Sequence, residues 1–532
     1  MSNFKSERRA LPDSWSWVNI GEIAEVIGGG TPSTIESGNF GGGIPWITPA
    51  DMSAHVGKAI AQGARSISAK GLDGSGARWL PKGAVLFSSR APIGYVAIAS
   101  QPVTTNQGFK SFVPANGIDS DYLYYWLTSA KPLAEKLASG TTFLEISAAK
   151  AALIPFPIAP AAEQTRIVEK LEELLSDLDA GVAELKAAQK KLAQYRQSLL
   201  KAAVEGALTA EWRSARSLAN EEAETGGQLL ARILTERRSR WETRQLAKLQ
   251  AQGKPPPKDW QANYPAPVAP DTKGLPELPQ GWVWASIEQI AADERYSLSI
   301  GPFGSNLKVP DYREDGVPLV FVRNIRSGNY GGVHTKYVTP EKAEELRAHS
   351  IAAGDVLITK MGEPPGDADV YPDSEPPAVI TADCIKVRCW SGLMLPHFLK
   401  SVINSYVGQR QIQPMTQGVA QKKVSLGRFS NLAVPVPSSA EQVEIMKMVA
   451  AANIDALILE IAIAHGLKQS AAQRKNILQA AFSGQLVPQD PADEPASALL
   501  ARIRAERATR GTGFARGRGK QTVAKQTMSH LA

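Results

Sequence analysis

The residues that usually carry catalysis are sparse and scattered in this chain. Its six histidines stand singly, so they form no metal-ligand cluster or acid–base pair. Each Gly-Lys pair is followed by Ala, Pro or Gln, so a nucleotide-binding P-loop is missing. The run Glu363-Pro364-Pro365-Gly366 lacks both ends of the Asp/Asn-Pro-Pro-aromatic motif that holds a flipped base for methylation. We predict a chain without catalytic residues, metal or cofactor of its own.

Composition indicates a folded, soluble protein. Of 532 residues, 43% are hydrophobic and 21% are charged, close to globular averages. The two cysteines, Cys384 and Cys389, are predicted to be small core residues on opposite faces of a strand. No apolar segment follows the polar N-terminus, and the most apolar run carries Asp455 and Glu460, so we expect a cytoplasmic location. The net charge of +7 is compatible with a polyanionic partner.

The elements that must position any functional side chain occur twice. Glu163-Gln164 recurs 278 residues later as Glu441-Gln442, and the match is ungapped from Gly140 to Leu208. Upstream, Leu11-Pro12-x-x-Trp15-x-Trp17 recurs with gaps at Leu278 to Trp284. The chain is therefore predicted to be a tandem duplication whose globular parts have diverged.

The matched stretch predicts a long helix in each half, because its leucines recur every seven residues. We expect the two helices to pair as an antiparallel coiled coil with some apolar surface left over. The residues predicted to pack in this seam are Val168, Leu171, Leu175, Leu178, Val182, Leu185, Leu192, Leu199, Ile445, Val449, Leu459 and Ile463.

The regions before these helices have short strand-like runs, Gly and Pro turns and short helix candidates, so both are predicted to be mixed α/β domains. The predicted organisation is a first head (1–160), a long helix (161–212), a charged helix with a Pro-rich linker (213–277), a second head (278–437), a second long helix (438–488) and a basic, disordered tail (489–532).

Several motifs resemble the specificity subunit of type I restriction-modification enzymes, over about 11–488. The motifs that resemble its target recognition domains are Gly29-Gly30-Thr31-Pro32-Ser33, Gly43-Ile44-Pro45-Trp46, Leu86 to Gly94, Thr105-Asn106-Gln107-Gly108-Phe109 and, for a second subtype, Gly301 to Lys308. Pro155-x-Pro157 and Pro435-x-Pro437 resemble the junctions into the family's two conserved helices.

This resemblance implies a non-catalytic subunit that reads a bipartite, asymmetric site on double-stranded DNA, one target recognition domain per half-site. It also implies assembly with two adenine methyltransferase subunits and two ATP-dependent restriction subunits. S-adenosylmethionine, ATP and Mg²⁺ would be bound by those partners, whose complex would methylate and cleave DNA.

Arg, Lys, Asn and Gln on loops are the side chains best suited to reading base edges. In the first head the candidates are Ser89, Arg90, Asn106, Gln107 and Lys110. In the second head they are Lys308, Arg323, Asn324, Arg326, Lys360, Lys422 and Lys423. Lys422 and Lys423 resemble phosphate clamps more than base readers. An alternative interpretation is that Arg90 and Asn106 only brace turns.

Two other classes of function stay open from the residues. A coiled-coil adaptor without sequence-specific DNA binding explains the long helices but not the doubled α/β heads. A fused restriction enzyme requires motifs that the chain lacks. Salt-dependent DNA binding separates the first alternative from a DNA-reading subunit.

Overall fold

A computed structural model describes residues 10–140, 144–218, 224–304, 306–417 and 422–515. Their contacts divide the chain into two units. Unit 1 comprises the described parts of Met1–Leu185 and Ala464–Ala532, and unit 2 comprises those of Lys186–Ile463. Unit 1 contains the first head and unit 2 the second, so each mixed α/β head lies in its own unit.

Unit 1 has a five-stranded sheet of order β2-β9-β6-β7-β4, a three-stranded sheet of order β5-β3-β8, and the pair β1-β10. Its strands are β1 (Ser16–Asn19), β2 (Ala24–Gly28), β3 (Phe40–Ile47), β4 (Ala59–Ile60), β5 (Arg65–Ile67), β6 (Val85–Phe87), β7 (Val96–Ala99), β8 (Thr104–Thr105), β9 (Lys110–Pro114) and β10 (Pro155–Ile158). Its short helices are α1 (Ile20–Ile23), α2 (Pro49–Ala54), α3 (Ala69–Asp73), α4 (Ser120–Ser129), α5 (Lys131–Leu137) and α6 (Ala148–Ala151). The long helix α7 (Ala161–Val204) begins here, at the residue predicted.

Unit 2 repeats this design with two four-stranded sheets, of order β12-β19-β16-β17 and β14-β13-β18-β15, and the pairs β11-β22 and β20-β21. Its strands are β11 (Val283–Ser286), β12 (Leu298–Ile300), β13 (Val317–Val320), β14 (Lys336–Val338), β15 (Ser350–Ile351), β16 (Val356–Thr359), β17 (Ala368–Val370), β18 (Ala378–Ile380), β19 (Cys384–Val387), β20 (Thr416–Gln417), β21 (Lys423–Val424) and β22 (Ala433–Val436). Its helices are α8 (Ala210–Leu218), α9 (Gly226–Ala251), α10 (Ile287–Ile290), α11 (Val322–Ser327), α12 (Pro340–Glu345), α13 (Pro396–Asn404), α14 (Tyr406–Met415), α15 (Leu426–Phe429) and the start of α16 (Ser439–Ala481).

The first and last strands of each head pair in the same register. Trp17 lies opposite Pro157 in β1-β10, and Trp284 lies opposite Pro435 in β11-β22. Each pair delivers the chain directly into a long helix, so the repeated Trp and Pro positions mark the junction between head and helix.

The predicted helix bounds differ from the observed ones only at the ends. The predicted span 161–212 contains α7, but α7 ends at Val204 because Gly206 takes a left-handed conformation with φ of +75°. Likewise α16 ends at Ala481, and Gly484 has φ of +72°. A glycine in this conformation terminates the helix in both halves.

The two long helices contact each other with antiparallel order. Within unit 1, Asp179 forms an ion pair with Arg474, and Leu185 lies against Gly466. Within unit 2, Arg196 Nη2 lies 2.7 Å from Glu460 Oε2. The contact partners therefore run in opposite directions along α7 and α16.

Most predicted seam residues are covered. The buried ones are Val168, Leu171, Leu175, Leu199, Ile445, Val449 and Ile463, and the half-buried ones are Leu178, Val182, Leu185 and Leu192. Leu459 is the exception, since 54% of it is exposed. Its place in the seam was predicted wrongly, because between 186 and 198 α7 offers only Leu192 and Tyr195 as large apolar side chains.

The segment after each long helix packs on a head. Leu229, Leu230 and Ile233 of α9 enter the core of unit 2, as part of the second head's own core cluster. The helix α17 (Ala496–Ala515) does the same in unit 1 with Leu499, Leu500 and Ile503. Each helix therefore completes the core of the unit that contains it.

One domain prediction requires correction here. The tail 489–532 was predicted to be disordered, but residues 496–515 form α17, whose Leu499, Leu500 and Ile503 are buried; residues 516–532 lie outside the described residues. The charged helix predicted within 213–277 is α9, which ends at Ala251, and the Pro-rich segment follows it. There Trp241 stacks on Trp260, with ring centroids 5.7 Å apart, so the following segment folds back on the helix.

By length and composition alone, α16 is the one described helix apolar enough to cross a membrane. Its most apolar window is 17% buried, and it carries Asp455 and Glu460. Charged side chains at such positions are costly in hydrocarbon. The large exposed apolar residues of this helix are Val443, Ile454, Leu457, Ile458, Leu459 and Ile461.

The cysteines lie where the sequence predicted. Cys384 is buried in one small cluster of the second head, and Cys389 packs partly against the larger core. Both are free thiols, and burial raises the pKa of Cys384 to about 12, so it is protonated at neutral pH.

Candidate nucleic-acid interface

Three loops of the first head meet beyond the end of β6. The amide of Ser89, in the loop after β6, donates to Gly108 O at 2.7 Å in the loop before β9. The carbonyl of Ser89 accepts from the amide of Ile146 at 3.1 Å, in the loop that precedes α6. Ser89 thus anchors all three loops through its backbone, and its side chain is buried.

The predicted cations of the first head share one carboxylate. Arg90 Nη1 lies 3.4 Å from Glu145 Oε2, and Lys110 Nζ lies 3.6 Å from Glu145 Oε1. Lys110 Nζ also donates to Gln107 O at 3.2 Å. The structure therefore brings Arg90, Gln107 and Lys110 together around Glu145, a residue that the sequence analysis missed.

The side-chain amide of Asn106 braces a turn in the first head. Asn106 Oδ1 accepts from the amide of Gly108 at 2.9 Å, which fixes the turn that carries Gln107. Gln107 itself is exposed, and Arg90 is partly exposed. Of the five candidates, Arg90 and Gln107 are at least partly exposed, Lys110 is only 15% exposed in its side chain and is held within the loops, and Ser89 and Asn106 shape them. Base contact by any of the five stays a prediction.

The second head repeats this frame. The amide of Lys360 donates to Asp383 O at 2.7 Å, and its carbonyl accepts from the amide of Val424 at 3.1 Å. Lys360 therefore occupies the backbone position of Ser89. Its ammonium group donates to Ala382 O at 3.1 Å and lies 5.3 Å from the ring centroid of Phe303.

The charge at one equivalent position is reversed. The offset of 278 that relates the two halves places Lys423 where the first head has Glu145. Met361 and Lys423 form an antiparallel bridge, so this lysine adjoins the loop of Lys360. Lys422 and Lys423 are exposed and have no side-chain partner among the described residues, which omit 418–421. An exposed pair of lysines suits contact with phosphates.

The other second-head candidates lie on or near α11. Arg326 Nε lies 2.7 Å from Asp367 Oδ2, and its Nη2 donates to Pro364 O at 2.7 Å, so it braces the loop that begins at Lys360. Arg323 Nη2 donates to His334 O at 2.9 Å. Lys308 is exposed in the loop after β12.

Asn324 is used within the fold. It is 8% exposed, its Oδ1 accepts from the amide of Phe321 at 2.9 Å, and its Nδ2 donates to Asn329 O at 2.8 Å. A base edge would have to replace both hydrogen bonds. Its proposed role in reading a base stays a prediction without support from this geometry.

Residues 12–187 match the family model described as the type I restriction modification DNA specificity domain. Over 164 residues the chain is 42% identical to the type I restriction enzyme MjaIX specificity subunit of Methanocaldococcus jannaschii, which covers 30% of this chain and 38% of that protein. It is 23% identical to the EcoBI specificity subunit of Escherichia coli over 94% of both chains.

A solved structure from a study of complex assembly and conformational transition of the type I R-M system shares the fold. The match has a TM-score of 0.59 at 17% identity and covers 90% of this chain and 100% of the other. At this identity the likeness concerns the fold alone.

Proposed function

We propose that this chain, which resembles type I restriction enzyme specificity subunits over most of its length, reads a bipartite, asymmetric DNA site with one head per half-site. The observation that carries this proposal is the three-loop frame built around Ser89 in one head and Lys360 in the other. A shared backbone frame with different side chains is suited to reading two different short sequences.

The two heads offer different side chains, which suits them to different half-sites. The first head offers Arg90 and Gln107, which can make bidentate contacts with guanine and adenine. Glu145 neutralises part of the positive charge there. The second head offers Lys360, Lys422 and Lys423 without that carboxylate, so it can contact phosphates more strongly.

The partners proposed are two methyltransferase subunits and two restriction subunits, which would bind S-adenosylmethionine, ATP and Mg²⁺. The described residues contain no group of three or more His, Cys, Asp or Glu side chains placed to hold a metal ion. In this proposal the chain directs the complex to its site in the cytoplasm, and methylation and cleavage belong to the partners.

The test is to express the chain with its methyltransferase partner and to map modified adenines in the host DNA. We expect one motif made of two different half-sites separated by unspecified bases. A continuous motif, or no modification by an assembled complex, contradicts the proposal. Retention of the complex on random DNA with no preference for any sequence favours the adaptor alternative.

A further inference from the structure

Phe303 is an exposed aromatic side chain beside the basic loops of the second head. It is 66% exposed, while every other phenylalanine whose side chain the structure describes is buried or half-buried. Leaving a phenylalanine in water forgoes about 1.5 to 3 kcal/mol of burial free energy. Single exposed apolar residues are common on protein surfaces, so position and support must decide whether this one is functional.

The backbone on both sides of Phe303 is held in place. The amide of Gly301 donates to Cys384 O at 3.0 Å, and the amide of Asn306 donates to Phe303 O at 2.9 Å. A Cβ on Gly301 would lie 1.9 Å from Thr381 O, so only glycine permits this close approach. With Lys360 Nζ 5.3 Å from the ring centroid, Phe303 is presented from a supported loop.

The first head contains a natural comparison. There the amide of Gly29 faces Phe109 O at 3.4 Å, and a Cβ on Gly29 would lie 1.9 Å from Asn106 O. Gly29 thus has the role of Gly301. Two residues further along, the first head has the exposed Thr31 where the second has Phe303. The frame itself therefore does not require an aromatic ring at this position.

We propose that Phe303 makes an apolar contact with the bases of the second half-site and contributes to sequence discrimination there. This inference rests on the proposed function. Lys308 in the same loop and Lys360 beneath the ring can contact the phosphate backbone, which carries no sequence information. An aromatic ring held among such cations reaches the bases themselves, either against a thymine methyl group or as a wedge between base pairs.

The experiment uses the complex of the full chain with its methyltransferase partner, on DNA that carries the mapped motif. Affinity is measured for wild type, Phe303→Ala, Phe303→Leu, Phe303→Thr and, as the matched control in the first head, Thr31→Ala. Each is tested on the intact motif, on DNA altered in one half-site at a time, and on random DNA over a range of salt concentrations.

We expect Phe303→Ala and Phe303→Thr to weaken binding to the intact motif by roughly 5- to 150-fold, the range seen when base–aromatic contacts are removed. Phe303→Leu should lose less affinity for the intact motif. Affinity for random DNA and the salt slope should not change, because no phosphate contact is removed. Modification mapping should show relaxed bases only in the second half-site. A 2-aminopurine reporter in that half-site brightens on binding if the ring acts as a wedge and stays dim for a methyl contact.

Three outcomes would each overturn the inference: equal losses of affinity for the motif and for random DNA, relaxed base specificity in the first half-site, or unchanged affinity of Phe303→Ala for the motif. Failure of the proposed function has a different signature, since wild type would then show no preferred motif.

Discussion

The indole Nε1–H of Trp15 donates to Glu163 Oε2 at 2.9 Å, and it joins the start of the first head to the first turn of α7. Trp282 makes the same bond to Glu441 Oε2 at 2.8 Å in the second half. The neighbouring Gln164 accepts from the amide of Asp119 at 2.9 Å. The repeated Glu-Gln pair therefore connects each head to its long helix by hydrogen bonds. This shared role explains why the same two residues occur in both halves.

The two glutamates should respond differently to substitution by glutamine. Burial raises the pKa of Glu163 above its usual value, so ionisation at neutral pH opposes folding. Glu163→Gln removes this cost and keeps an acceptor for Trp15, and we expect stability at pH 7 to change by less than about 1 kcal/mol. Glu441 instead pairs with Arg213, so Glu441→Gln should cost about 1.5 to 3 kcal/mol.

Urea unfolding of both variants at pH 7 and pH 5 checks this difference. The stability of wild type should rise relative to that of Glu163→Gln as the pH falls, because protonation of Glu163 removes the same buried charge that the substitution removes. A larger loss for Glu163→Gln than for Glu441→Gln at pH 7 would contradict the assignment.

Removing α17 should destabilise unit 1. A chain ending at Pro488 loses Leu499, Leu500 and Ile503, which are at most 7% exposed. Each buried side chain of this kind contributes about 1.5 to 3 kcal/mol, so we expect a lower melting temperature and faster hydrogen exchange in β1 and β10. The control ends at Ala515, and if it loses as much stability as the shorter chain, the packing of α17 is not the cause.

Lys386 should make the stability of the second head depend on alkaline pH. It is 3% exposed in β19 and donates to Ser350 O at 2.7 Å, and burial lowers its pKa to about 8. Between pH 8 and its unfolded value near 10.5, the unfolded chain binds the proton more tightly. Stability should therefore rise with pH across this window.

Lys386→Met should remove that rise and stabilise the head at pH 7 by about 1 to 3 kcal/mol. Urea midpoints of wild type and variant between pH 7 and pH 10 provide the measurement. Parallel pH profiles for the two proteins would show that Lys386 is not the titrating group.

The two heads should differ in how DNA binding depends on salt. If Lys422 and Lys423 contact phosphates, replacing both by alanine should reduce the salt slope by about 2. Lys336→Ala is the matched control, because Lys336 already pairs with Glu314 at 2.6 Å. Equal slopes for the double variant and wild type would exclude phosphate contact by these lysines.

Arg90 is expected to contribute to sequence discrimination and not to binding of random DNA. Arg90→Ala should cost about 1 to 3 kcal/mol of discrimination at one base of the first half-site and leave the second half-site unchanged. Methylation mapping checks both statements. Relaxation of the second half-site would show that the heads have been assigned to the wrong halves of the site.

The sequence predicted best what is periodic or repeated. The seven-residue period predicted the long helix, Pro160 and the acidic first turn with Glu163 placed its start at Ala161, and the Trp and Pro repeats marked the strand pairs at each junction. Leu459 was misplaced because periodicity identifies an apolar face but not whether a partner covers it.

Two further differences have separate physical causes. The helix α17 was missed because its basic, glycine-containing composition outweighed Leu499-Leu500-Ala501-Arg502-Ile503, although the same pattern in α9 was a usable signal. Glu145 was overlooked because a carboxylate is not expected in a DNA-reading loop. Only the fold shows that it lies between Arg90 and Lys110.

The composition of the units has a consequence for biosynthesis. Unit 2 is one continuous stretch, whereas unit 1 needs Leu499, Leu500 and Ile503 to complete the core that begins at Trp15. At about 5 to 20 residues per second, the ribosome reaches Ile503 roughly 15 to 65 s after it has passed Leu185. The head that is translated first is thus finished last, and it waits on the ribosome with an uncovered apolar surface while the second half folds.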